Sequence, residues 1–314
     1  MDVGRLPSGG DVEAPAEGSG PTFVTTSPRC ARCARPPRTV LQRETGLATL
    51  APMAVRFTIL GSGSGGNCAY LESGDTRLLI DAGFSARQIR ERLAAIGRGP
   101  ETLSGVVITH EHGDHIQGLG VLCEKLGIPV YANRQTRDAI GRVCEKKLCY
   151  RVFETGSTFA VGEVEVQSFS VPHDAMDPVG YVLRTSAGQI GFLTDLGHVT
   201  KLVMERVRQS KVLVLEANHD LKLIQEDTRR PWSTKQRILS RHGHLSNDAA
   251  AEVAAELVPT GIETIYLGHL SRDCNRPELA MATVKRRLEG IGATQVRLEN
   301  TSQETACATL EMGG

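Results

Sequence analysis

An α/β fold, with a pair of mixed β-sheets covered by helices, is what this chain of 314 residues predicts. Two observations carry the prediction. Strand-like runs recur from residue 55 onward, some in direct succession like hairpins and others separated by helical periodicity. Sheets with both kinds of connection hold antiparallel and parallel strands, and their apolar faces need helices to cover them.

The elements follow in order. "VRFTIL" at 55–60, "CAYLES" at 68–73, "RLLID" at 77–81 and "GVVIT" at 105–109 read as strands, with helices over 85–96 and 116–127. "VEVQSFSV" at 164–171, "GYVLRT" at 180–185 and "QIGFLT" at 189–194 form a hairpin-like series. "KVLVLEA" at 211–217 and "ETIYLG" at 263–268 follow, with helices expected over 199–209, 246–257 and 277–289. Ser246 ahead of Asp248, Ala249 and Ala250 is a good helix start, because a serine hydroxyl caps free backbone N–H groups. Residues 1–52 are rich in Gly, Pro, Ser, Thr and Arg without periodicity, so they read as a disordered extension before a domain spanning 53–314.

Composition excludes several classes. Lysine plus arginine equals aspartate plus glutamate at 36 each, so no global field draws the chain to nucleic acid or membrane, and a polyanion must be held by a local patch or bound cations. No apolar run approaches the roughly 20 residues of a membrane span, and the start "MDVGRLPSGGDVEAPAEG" lacks the apolar segment of a secretory signal. Eight scattered cysteines, with a lone C-x-x-C at Cys30 and Cys33, point to reduced thiols and a cytoplasmic location. "GSGSGGN" at 61–67 matches G-x-G-x-x-G, but leads into the hairpin-like "CAYLESGDTRLLID" rather than a helix. It reads as a tight turn, and no nucleotide cofactor is expected; Ser64 and Asn67 are candidates for substrate contact from it.

The chemistry concentrates in "VITHEHGDHI" at 107–116. His110 and His112 are two apart, so an extended chain projects both to one side, while Glu111 points away and Asp114 and His115 follow. Imidazole and carboxylate are the usual ligands of divalent transition metals. Three further candidates, His173, Asp195 and His269, each sit where a strand-like run ends, and strand ends gather along a rim where loops build active sites. Seven ligands suit two ions: His110, His112 and His173 for one, Asp114, His115 and His269 for the other, and Asp195 bridging. Two cations about 3.5–4 Å apart share a water, depress its pKa and present hydroxide at neutral pH.

With "THEHGDH" at 109–115, "LLIDAG" around Asp81, and His173, Asp195 and His269, the chain resembles the metallo-β-lactamase superfamily. The resemblance implies a four-layer αββα sandwich with a dinuclear site, usually zinc, on the rim between the sheets; manganese or iron would also suit the carboxylate-rich second position. "EANHD" at 216–220, "RHGHLSNDAA" at 241–250 and "YLGHLSRDCN" at 266–275 resemble the WalJ/YycJ group, related to tRNA 3′-processing nucleases and regarded as 5′-to-3′ exonucleases acting on DNA. That likeness implies His244 as general acid, protonating the leaving oxygen with Asp114 as its partner, and Asp81 as the aspartate that steadies ligand histidines. Cys274 and "RRPW" at 229–232 depart from the group's pattern.

The expected function is metal-dependent phosphodiester hydrolysis by metal-bridged hydroxide, with DNA the favoured substrate. RNA processing and thioester or lactone hydrolysis of the glyoxalase II kind are the alternatives; a metal-dependent scaffold would have no reason for an open coordination position. Lys222, Arg229, Arg230, Lys235, Arg237 and Arg241 form a basic stretch suited to phosphate contacts. Trp232, the single tryptophan, is a candidate for stacking, and Asn218 and His219 for substrate contact.

Overall fold

The computed structural model describes residues 54–313; the extension predicted at 1–52 lies outside them. The first half runs β1 (Val55–Gly61), β2 (Cys68–Ser73), β3 (Thr76–Ile80), α1 (Ala86–Ala95), β4 (Gly105–Val107), α2 (Gly113–Ile116), α3 (Leu119–Leu126), β5 (Pro129–Asn133), α4 (Arg134–Val143) and β6 (Cys149–Phe153). The second half runs β7 (Thr158–Val161), β8 (Val164–Ser170), β9 (Val179–Thr185), β10 (Gly188–Leu193), α5 (Lys201–Val207), β11 (Ser210–Glu216), α6 (Leu221–Glu226) and α7 (Trp232–Ile238). It continues through α8 (Asn247–Leu257), β12 (Thr264–Gly268), α9 (Pro277–Glu289), β13 (Arg297–Asn300) and β14 (Leu310–Met312), which returns to the first sheet.

Two seven-stranded sheets result, ordered β14-β1-β2-β3-β4-β5-β6 and β13-β12-β11-β10-β9-β8-β7. Each is antiparallel at one end and parallel at the other, with β3 to β6 and β10 to β13 running parallel. Residue parity sorts the core into three slabs. Phe57, Leu71, Ile80, Val212, Val214 and Tyr266 face the space between the sheets. Leu60, Tyr70, Leu79 and Val106 pack outward on α1 and α3, and Val182, Leu213, Leu215 and Leu267 outward on α5, α8 and α9. Strands buried on both faces read as near-continuous apolar runs, which is why their alternation is faint in the sequence. The αββα sandwich is thereby present as expected.

Ser246 caps α8 as predicted, its side chain accepting from Ala249 N. The helix predicted over 116–127 is present as α3, which starts at Leu119 and is set apart from the short, unpredicted α2. Gly118 lies at the break and donates to Ala82 O; a Cβ there would come within 2.2 Å of Phe84 O. The close approach of the loop after β3 therefore separates the two. Cys68, Cys123, Cys144, Cys274 and Cys307 are free thiols. Among the described residues no helix is long and apolar enough to cross a membrane.

Candidate metal centre

The C-terminal ends of parallel strands build the site. Asp81 follows β3, the 110–115 loop follows β4, Asp195 follows β10, Glu216 ends β11 and His269 follows β12. Asp81, Asp195 and His269 all adopt left-handed backbone, with φ of 62°, 57° and 53°, and are the described non-glycine residues that do so. Such conformations cost energy and persist where surrounding structure holds them, typically at functional sites.

Two groups of donors meet. In the first, His110 Nε2 and His173 Nε2 lie 3.0 and 3.3 Å from His112 Nδ1. In the second, His115 Nε2 and His269 Nε2 lie 3.6 and 3.3 Å from Asp114 Oδ2. Asp195 sits between them, 3.1 Å from His115 Nε2, 3.4 Å from His269 Nε2 and 3.7 Å from His173 Nε2. All seven predicted ligands are thus brought together, in overlapping groups of which one also takes in Glu216 and His244, while Glu111 turns aside to accept from Met176 N.

The donor chemistry fits divalent cations. Four buried histidines each place one ring nitrogen on a partner away from the centre: His110 Nδ1 on Thr109 Oγ1 (3.0 Å), His115 Nδ1 on Asp81 Oδ2 (2.8 Å), His173 Nδ1 on Gly243 O (3.0 Å) and His269 Nδ1 on Glu216 Oε1 (2.9 Å). Donation there leaves Nε2 as a lone pair aimed inward, the tautomer a metal ligand requires. Asp195 Oδ2 is buried yet accepts no hydrogen bond, since its contact with His115 lacks the alignment for one. A buried carboxylate oxygen without a donor is costly unless something cationic compensates it.

The side chains also act strongly on one another's charge. Burial pushes His110 well below the usual histidine range, with the charge of neighbouring imidazoles adding to it. Burial opposes charge on His115 and His269 too, but the carboxylates of Asp195, Asp81 and Glu216 outweigh it and raise both. Burial would likewise raise Asp195, and the imidazoles of His269 and His115 hold it well down instead. The cluster is therefore a balanced set of anionic and imidazole donors.

His244 stands beside it, with Nδ1 2.7 Å from Glu216 Oε1. Its ring centroid lies 5.1 Å from those of His173 and His269. Burial would lower its pKa, but the Glu216 charge and hydrogen bond raise it. Glu216 is fully buried and accepts from Leu196 N and Leu245 N as well; against burial, His244 and His269 hold its carboxyl down at about 2. The expected Asp114 partner is corrected here: Asp114 contacts His269 and Asn67, and Glu216 is the carboxylate on His244. Sequence reasoning missed Glu216, although a charged residue closing "VLVLE" on a strand buried at both faces was the available signal.

The four candidate substrate contacts divide unevenly. Ser64 is exposed at the tip of the glycine turn. Asn67 is buried, its amide 3.2 Å from His115 Nε2 and its oxygen accepting from Ser62 Oγ and Gly63 N. Asn218 is buried and donates to His269 O. His219 is buried too, bridged to Ser246 through the backbone, and burial drives its pKa down to about 4. Asn218 thus braces His269 through its backbone, whereas Asn67 reaches the inward-facing atoms of His115 and Asp114. Much of the basic stretch is also engaged: Arg229 and Arg230 pair with Asp227 and Asp273, Lys235 donates to Gln225 O, and Lys222 pairs with Glu226. Cys274 lies buried against Arg230, and Trp232 is exposed on α7.

Residues 76–269 match the beta-lactamase superfamily domain. The chain is 38% identical over 273 residues to the exodeoxyribonuclease WalJ of Streptococcus pneumoniae serotype 2, strain D39, covering 84% of this chain and 100% of that protein. It is 38% identical over 245 residues to the exodeoxyribonuclease YycJ of Bacillus anthracis, covering 76% and 91% respectively. Among solved structures, the metallo-β-lactamase fold protein YhfI from Bacillus subtilis superposes with a TM-score of 0.63 at 15% identity, over 82% of this chain and 99% of that one. The short form of human tRNase Z superposes at 0.57 and 19% identity, over 81% and 98%; both likenesses concern the fold.

Proposed function

The chain belongs to the metallo-β-lactamase superfamily, in its WalJ/YycJ group, and from that premise we propose that it is a zinc-dependent exonuclease that degrades DNA from the 5′ end. The observation that carries the proposal is the meeting of seven metal-type donors in two adjoining groups beside a His244–Glu216 pair. His110, His112 and His173 would hold one cation, Asp114, His115 and His269 a second, with Asp195 shared. When bound, such a pair neutralises phosphate charge and acidifies a water.

The chain's own groups do the rest. Asp81, Thr109, Glu216 and the Gly243 carbonyl fix the tautomer and aim of the ligand rings. His244 is anchored through Nδ1, which leaves Nε2 to hand a proton to the departing sugar oxygen. The Glu216 carboxylate favours the protonated ring that this step needs. A thioester would not demand such an acid, because thiolates leave readily; this pair therefore favours a phosphodiester. The two relatives' names and a cytoplasmic location go with DNA.

End-labelled single- and double-stranded DNA and RNA, incubated with zinc-loaded protein and with EDTA controls, test the reading. Early release of a 5′ label as a mononucleotide from DNA, abolished by EDTA, is expected. Turnover of lactoylglutathione with no cleavage of any oligonucleotide would refute it.

A further inference from the structure

Two arginines stand near different parts of the donor cluster. Arg237, on α7, places Nε 3.3 Å from Asp174 Oδ2, and Asp174 Oδ1 is 3.4 Å from His173 Nε2. One carboxylate therefore separates its guanidinium from the first group of donors. The side chain is 63% exposed; an ion pair so open to water is weak, and a competing anion can take the arginine from it. Arg272 comes three residues after His269. Its Nη2 is 3.7 Å from where a Cβ on Gly65 would sit, against the turn whose Asn67 reaches His115 and Asp114. Arg272 is exposed and has no hydrogen bond or ion pair among the described residues.

Arg229, Arg230 and Lys235 are tied to acids or backbone, whereas Arg272 is unpaired among the described residues and Arg237 holds one exposed ion pair, to the carboxylate beside His173. A guanidinium presents a fork of donors that matches phosphate oxygens, and it stays charged at all working pH values. We infer that Arg237 and Arg272 grip the phosphates on either side of the scissile one, so that a nucleic-acid backbone crosses the centre from the glycine turn to α7. Resting on the nuclease reading, this adds the strand path and two specificity-determining residues. It also explains how a chain with no net charge holds a polyanion: two local cations stand near the catalytic centre.

The test compares a single-stranded DNA oligonucleotide with bis(p-nitrophenyl) phosphate, a phosphodiester without flanking phosphates. Arg237→Ala and Arg272→Ala are each expected to raise KM for the oligonucleotide about tenfold relative to any change with the small ester. Each should also flatten the dependence of log KM on log salt by about 0.7, the share of one phosphate contact on a single strand. Arg→Lys at either position should restore the salt slope, which a merely structural role would not do. Zinc content measured in each variant separates folding damage from lost contact. Equal effects on both substrates, or unchanged KM and salt slope with the oligonucleotide, would overturn the inference. Wild-type protein that turns over the small ester but no oligonucleotide would instead sink the nuclease reading beneath it.

Discussion

His244 and Asp81 carry the sharpest consequences for single side chains. His244 Nδ1 is held by Glu216 and lies 3.7 Å from Asp195 Oδ1. His244→Ala should therefore lower kcat about 100- to 10,000-fold while zinc content stays at the wild-type level. Concurrent loss of zinc would move His244 from proton donor to ligand. Asp81 holds the outer nitrogen of His115 and accepts from Thr109 N and Oγ1. Asparagine tolerates the φ of 62° at this position, so Asp81→Asn removes charge without backbone strain. Affinity for one zinc should fall about 10- to 100-fold, measured by competition with a chelator, and the other should be retained. The ligands were legible because four crowd into one short stretch, His110 to His115, and three more sit where strand-like runs end. Glu216 was not, since a buried glutamate announces no partner until the fold places His244 and His269 around it.

At the scale of elements, the hairpin of β2 and β3 carries a buried charge that can be titrated. Glu72 accepts from Tyr70 and from Arg98 and lies 3.6 Å from Arg77. Burial opposes its ionisation, but the Arg98 and Tyr70 hydrogen bonds and the two arginine charges hold the carboxyl below its usual range. A depressed carboxylate contributes stability above its unfolded pKa of about 4.3 and loses it as pH falls through the lower folded value. Glu72→Gln should cost about 1–3 kcal/mol near neutrality and flatten the stability curve below that pH, as read by urea unfolding at several pH values. An unaltered acid limb would show that the carboxyl is not depressed. The central strands and long helices were legible from their apolar runs and caps. Missing from the sequence reading were the ten-residue α4 and a set of shorter elements: α6, α7, and β5, β6, β7, β13 and β14 of three to five residues each. Elements that short have too little periodicity to stand out, and pairing with neighbours rather than local propensity decides them. The split between α2 and α3 was hidden for a related reason: only the tertiary approach of the loop after β3 makes Gly118 a break.

Over the whole molecule, the sandwich turns sequence distance into proximity. His112 and His269 are 157 positions apart, yet their rings belong to one cluster because each sheet ends its parallel strands on the same rim. That crowding of ionisable side chains is consistent with binding of cations, and folding stability should rise with metal occupancy accordingly. The metal content of purified protein after equilibrium dialysis against micromolar zinc, read by mass spectrometry, tests this most directly. Two zinc ions per chain, falling to at most one when Asp195 is replaced by alanine, is the result predicted. A content of zero or one in the wild-type protein would contradict a dinuclear centre.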